Sequence, residues 1–210
     1  MYDLEEQEKV DELKAWWKQH GQMVIAVAVA ACIGAAAAGG WQWYKRGQSE
    51  QASRLYGTLE RAIQANDLKQ IREVSGQLMD KFGGTAYGPM AALAAAKANF
   101  ETGDAKGAAA QLQWTLEHAR DEGIAATARL RLAGVLLDEN RYDDALKLLD
   151  ASYPDAFVGL FEDRKGDIYV AQGKTAEAKA AYKAALEKLP AQGSYRNLVQ
   201  VKLDGLGGDQ

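Results

Sequence analysis

The sequence predicts an all-α protein in which one transmembrane helix precedes an array of helix pairs. Three observations carry this. One long stretch lacks charge in a chain that is otherwise charged throughout. Apolar residues elsewhere recur at helical spacing. A set of small and aromatic residues returns at intervals of some thirty residues. The 210 residues include 25 basic and 29 acidic side chains, so there is no polybasic excess to drive binding to nucleic acid. A single Cys excludes a disulfide framework within the chain and a zinc site built on paired cysteines.

The uncharged stretch comes first. No Lys, Arg, Asp or Glu lies between Gln19 and Tyr44, and Met23–Gly40 reads MVIAVAVAACIGAAAAGG. With its flanking aromatics this reaches the roughly 20 residues, at ~1.5 Å rise each, that span a bilayer. Trp16 and Trp17 stand at one end; Trp41, Trp43 and Tyr44 stand at the other. Lys14, Lys18, Lys45 and Arg46 lie just beyond, as at the two interfaces of a membrane span. A secretory signal peptide would open with basic residues, whereas this chain opens Met-Tyr-Asp-Leu-Glu-Glu. Small residues recur at four-residue spacing, as in Ala30, Gly34 and Ala38. They form a candidate helix-packing face in the bilayer, with a weakly hydrophobic anchor as the alternative. Cys32 is mid-span, where a small apolar filler is expected. Orientation is not fixed by charge. Three cations precede the span (Lys9, Lys14, Lys18) and four follow it closely (Lys45, Arg46, Arg54, Arg61).

Helices follow. Gly47–Asn66 carries Leu55, Leu59, Ala62 and Ile63 at helical spacing. Leu68–Phe82 carries Leu68, Ile71, Val74, Leu78 and Phe82, and Gly83-Gly84 stops it. No alternation of β-branched residues argues for a sheet. From Gly159 onward, Gly166, Tyr169, Gly173, Ala178, Tyr182, Ala185 and Pro190 fall in the order and spacing of the tetratricopeptide pattern. The small residues allow two antiparallel helices to approach, the tyrosines fill the space around them, Gly173 turns the chain and Pro190 ends the second helix. Ala96, Gly103, Ala108 and Leu112 repeat the frame, as do Ala133, Asn140, Ala145 and Leu149. The turn residues Gly103, Asn140 and Gly173 lie 37 and 33 residues apart. The longer first interval predicts an extended turn around Arg120–Gly123. Tyr195–Leu203 reads as a final helix, and Asp204–Gln210 as a frayed Gly-rich tail.

The expected organisation is therefore an acidic tail at 1–20, a transmembrane helix at 21–44 and a linking helix pair at 45–84. Tetratricopeptide-like repeats follow at 85–190, with a capping helix and tail at 191–210. This is a single transmembrane helix followed by a tetratricopeptide-like α-solenoid.

Nothing in the sequence assembles catalytic chemistry. His20 and His118 have no Ser or Cys nucleophile near them in sequence. Metal-binding and phosphate-binding motifs are absent. Asp143-Asp144 reads as charge at a helix start, and Asp138-Glu139 as a solvated pair at a helix end. The protein is expected to have no enzymatic activity, cofactor or metal. What remains is surface. Repeat solenoids bind partners along the face lined by the first helix of each pair. That frame marks Leu93, Lys97, Phe100, Leu130, Asp163 and Asp167 as the candidate protein-binding groove, the apolar three also fitting ordinary inter-repeat core.

The combination of WWKQHG, one span, WQWYKRGQ and a helical domain containing Gly107-Ala108-Ala109-Ala110-Gln111-Leu112 resembles the YfgM-like family of ancillary SecYEG translocon subunits. The resemblance implies a bacterial inner-membrane protein with its amino terminus in the cytoplasm and its helical domain in the periplasm. It implies the SecYEG translocon and a PpiD-type periplasmic chaperone as partners, and no catalytic role. The expected function is a scaffold that holds a chaperone or nascent secreted chains near the translocon exit. Two other readings stay open. One is a cytoplasm-facing or envelope-assembly tetratricopeptide adaptor; the other is a regulatory partner of a stress-response factor.

Overall fold

The computed structural model describes residues 2–207, with side chains from residue 8 onward. Among the described residues the secondary structure is helical and contains no strand. Two compact units divide between Gln48 and Ser49.

Helix α1, Tyr2–Gln64, contains the apolar stretch and continues into the second unit. The sequence reading begins a separate helix at Gly47, but the structure has no break there. Between Tyr44 and Gln51 there is no Pro, and Lys, Arg, Gln and Glu all favour helix, so Gly47 and Ser49 do not end it. Within α1 one segment is long and apolar enough to cross a membrane, and its side chains are not buried against protein. The boundary aromatics stack along the helix: Trp16 on His20, and Trp41 on Tyr44 with the Lys45 Nζ 5.4 Å from the Trp41 ring centre.

The second unit is an array of helix pairs. The end of α1 pairs with α2 (Leu68–Phe82), α3 (Tyr87–Glu101) with α4 (Ala105–His118), and α5 (Glu122–Asp138) with α6 (Tyr142–Leu149). A 3-10 turn at Asp155–Phe157 leads to α7 (Val158–Ala171), which pairs with α8 (Thr175–Lys188); α9 (Ser194–Gly205) closes the chain. The four pairs share one turn. At Asn66, Gly103, Asn140 and Gly173 the backbone enters the left-handed region, with φ of +52°, +78°, +60° and +73°. In each turn the next amide reaches back five residues: Asp67 N to Ala62 O, Asp104 N to Asn99 O, Arg141 N to Leu136 O and Lys174 N to Tyr169 O, at 2.8–2.9 Å. This is the helix-ending arrangement that Gly or Asn supplies with least strain. Its presence at Asn66 makes the predicted linking pair a repeat of the same construction. Asp67 and Asp104 then cap the following helix by accepting from the Gln70 and Gly107 amides.

The cores lie between pairs. Leu59, Ala62, Ile71, Val74, Leu78, Ala91 and Ala98 form one cluster. A second, larger one joins α3–α7 through Leu112, Leu132, Leu136, Leu149, Phe161 and Ile168. Gly166 sits against the Tyr182 ring, so closely that a methyl there would overlap it. The helix α8 ends where Leu189, before Pro190, turns extended at ψ 147°. One expectation fails. The connection between α4 and α5 is short, and Glu122 and Gly123 already belong to α5. The additional length of that repeat lies in α5, which extends from its Asp121 cap. In the following repeat α6 has only two turns, Tyr142–Leu149, and a longer connection through the 3-10 turn makes up nearly all of that length, so the shortening comes mainly from α7. The carboxyl-terminal helix runs to Gly205, two residues past the expected Leu203; the end of the predicted tail, 208–210, lies outside the described residues.

Candidate protein-interaction surface

The shared turns fix a common frame for the first helix of each pair. Tyr56, Leu93, Leu130 and Asp163 occupy equivalent positions, as do Gly57, Ala94, Arg131 and Arg164. Two adjoining cavities lie on the face these helices form. One, about 430 Å³, is lined by residues that include Lys97, Phe100, Arg131, Gly134, Asp138 and Arg164. The other, about 330 Å³, is lined in part by Tyr56, Ile63, Met90, Leu93, Lys97 and Arg131. Lys97 and Arg131 line both, so the cavities are neighbours on this face and are taken together as the candidate groove.

The six predicted groove residues divide along its length. Lys97 and Phe100 line the open part, and the Phe100 side chain is 46% exposed. Leu93 lines the second cavity while packing on the core, and Leu130 is partly buried against the same core. Asp163 and Asp167 are held by the chain's own last helix. Asp163 is 3% exposed; it accepts from the Tyr195 hydroxyl at 2.6 Å and from Lys202 Nζ at 2.8 Å. Lys202 also reaches Asp167 at 2.7 Å, and the Tyr182 hydroxyl donates to Asp167 at 2.9 Å. Burial, then the hydrogen bond to Asp163, raises the Tyr195 hydroxyl well above the usual tyrosine range. Burial followed by the charge of Asp167 does the same to Tyr182. In the structure these two aspartates fasten α9 to α7; Asp163 is buried, and the Asp167 side chain is 21% exposed.

The sequence reading misses Arg131 and Arg164. The signal for them was present: they stand one residue beyond Leu130 and Asp163 in the frame already in use. Ala30, Gly34 and Ala38 are exposed on α1, and a Cβ added at Gly34 would meet nothing within 4 Å. His118 stacks on Trp114, with ring centres 3.9 Å apart, and its Nδ1 lies 2.9 Å from the Trp114 carbonyl oxygen. Asp144 pairs with Arg141 at 2.7 Å in the first turn of α6. Among the described residues, no three His, Cys, Asp or Glu side chains gather as metal ligands.

The tetratricopeptide repeat-like domain family matches residues 14–208. Over nearly its whole length the chain is 33% identical to the ancillary SecYEG translocon subunit of Neisseria gonorrhoeae, covering 97% of this chain and 98% of that one. The chain belongs to the family of ancillary SecYEG translocon subunits. Family members of the same name in Haemophilus influenzae and Escherichia coli K12 are 31% and 26% identical, over 88% and 96% of this chain and 90% and 96% of theirs. About three quarters of this family member also has a counterpart in a solved structure of MamA from Desulfovibrio magneticus. The TM-score is 0.55 at 15% identity, covering 74% of this chain and 88% of that one. That likeness concerns the fold alone.

Proposed function

We propose that the protein is an anchored interaction subunit of the SecYEG translocon. In this reading α1 spans the bacterial inner membrane once, with the amino terminus in the cytoplasm and the helix pairs in the periplasm. The groove holds a PpiD-type chaperone or a nascent secreted chain beside the exit site. Its contribution is proximity: tethering a binding surface next to an emerging segment raises the effective concentration without any chemical step. The small-residue face at Ala30, Gly34 and Ala38 serves as the contact with another membrane helix.

The observation that carries the reading is the full-length relationship to translocon subunits, combined with one apolar helix and an open groove on helix pairs. The test is photo-crosslinking in cells from a reactive residue placed at Phe100. Adducts with secreted chains or with a periplasmic chaperone are expected. Adducts confined to cytosolic proteins would overturn the periplasmic placement. An alkaline-phosphatase fusion after Leu206 checks orientation separately and is expected to be active.

A further inference from the structure

Three cations line the groove. Lys97, Arg131 and Arg164 line one of its cavities together, from three successive first helices. Lys97 stands 3.6 Å from Glu101, with both side chains largely exposed, and Arg164 lies 3.6 Å from Asp167. Lys202 and Tyr182 engage Oδ1 of Asp167, and Arg164 faces its Oδ2, so Arg164 is already paired within the chain. Arg131 is the member common to both cavities. Its only hydrogen bond among the described residues runs from one Nη to the Leu93 carbonyl oxygen, at 3.2 Å. A guanidinium presents five donors in a planar fork that matches a carboxylate, and most of this fork faces the groove unspent. Two carboxylates, Glu101 and Asp138, line the same groove, and neither forms an ion pair with Arg131.

Apolar surface surrounds this cation. Phe100 is half exposed on one side of it, and Ile63, Tyr56 and Leu93 lie on the other. The Arg164 guanidinium lies over Gly134: it is the nearest group to the place a Cβ would occupy, at 3.5 Å. The helix α9 closes the acidic end of the face, using Lys202 and Tyr195 to neutralise Asp163 and Asp167. The part left open is therefore the part with the unspent cation.

We infer that the groove takes an extended peptide segment in which an acidic residue is flanked by apolar ones, its carboxylate docking on Arg131 between Lys97 and Arg164. This rests on the groove being the partner-binding surface and adds what that surface selects. A bidentate carboxylate on Arg is a charge-assisted pair, stronger than the neutral hydrogen bond an amide would make in its place. Apolar flanks landing on Phe100 and Ile63 supply affinity without sign preference.

The experiment uses the full chain in lipid nanodiscs, with empty nanodiscs as the blank. Three labelled peptides of alternating leucine and serine differ only in a central Asp, Asn or Lys, and binding is read by fluorescence anisotropy. The Asp peptide is expected to bind about tenfold more tightly than the Asn peptide, and the Lys peptide least well. In Arg131→Gln the Asp and Asn peptides should become equal while the Asn affinity stays. In Arg131→Glu the order of Asp and Lys should invert, a result that misfolding cannot produce. Equal binding of all three peptides by the parent protein would leave the groove a binding surface but overturn the acidic preference. A preference surviving in both variants would overturn the role of Arg131. Binding of none of the peptides would remove the inference together with the groove reading on which it rests.

Discussion

Near Arg131 the face of the first helices leaves Lys97 and Arg131 exposed, whereas at Asp163 and Asp167 its anions are paired with a helix of its own chain, Asp163 buried and Asp167 partly so. The two regions come from the same frame. Leu130 and Asp163 are equivalent positions, and so are Gly134 and Asp167. At α5 the frame presents an apolar residue and a glycine; at α7 it presents two carboxylates, which in low-dielectric surroundings need partners. Tyr195 and Lys202 are those partners, and satisfying the carboxylates fixes α9 in place. An array of repeats must end somewhere with its last apolar surface covered. Here the covering helix buries Val199 and Leu203 against α8 and spends the acidic stretch of the groove to hold itself there.

The largest expected effect is at Lys202. Lys202→Met leaves Asp163 buried with a single hydroxyl donor, and removing one partner of a buried pair is expected to cost about 3 kcal/mol. Adding Asp163→Asn to that variant should restore most of the loss, since the charge that needed pairing is gone. Urea unfolding of the full chain in detergent, followed by circular dichroism, measures both. A Lys202→Met variant as stable as the parent would mean that α9 is held by its apolar side alone, and no recovery in the double variant would mean that the unpaired Asp163 charge is not the source of the loss.

The glycines sharpen it next. Gly166→Ala places a methyl in the Tyr182 ring and should cost about 2 kcal/mol through overpacking. Gly134→Ala, in the open region, meets only ordinary contact with Arg164 and should stabilise its helix by up to about 1 kcal/mol. Thermal melting of the two variants beside the parent should therefore shift in opposite directions.

A smaller effect belongs to Tyr195. Its hydroxyl and that of Tyr182 are raised above the ordinary tyrosine value of about 10, in the folded state only. The folded state thus holds these protons more tightly than the unfolded chain. Their contribution is complete below about pH 10 and declines as pH rises from there toward the folded values. Tyr195→Phe should lower stability at neutral pH by about 1 kcal/mol and make the alkaline decline shallower. A parallel decline in parent and variant, measured by unfolding across that range, would place the pH sensitivity elsewhere. Smallest of all, Phe100→Ala should change stability by under about 0.5 kcal/mol, because the ring is half exposed. Its effect is expected on peptide affinity instead.

Much of the helix array is legible from residue types. The bounds of α2 follow from its apolar period and the two glycines after it. The turns at Gly103, Asn140 and Gly173 follow because only a few residue types accept a left-handed backbone. The turn at Asn66 obeys the same rule, but the tetratricopeptide residues around it are too sparse for the frame to be seen. The continuity of α1 through Gly47 escapes notice because weak helix formers announce a break that neighbouring residues override.

The sequence by itself determined what is local or periodic. An uncharged stretch with aromatic ends makes an apolar helix, and small residues at repeat spacing make paired helices, since backbone preference and apolar period act within a few residues. Tertiary structure decided which groove positions remain available. Asp163 and Asp167 read as open sites until α9, some 30 residues further along, supplies Lys202 and Tyr195. Arg131 reads as an ordinary surface cation until packing leaves it at the junction of two cavities with most of its donors unused. Charge pairing and exposure depend on what folds back over a residue, and a linear pattern does not contain that information.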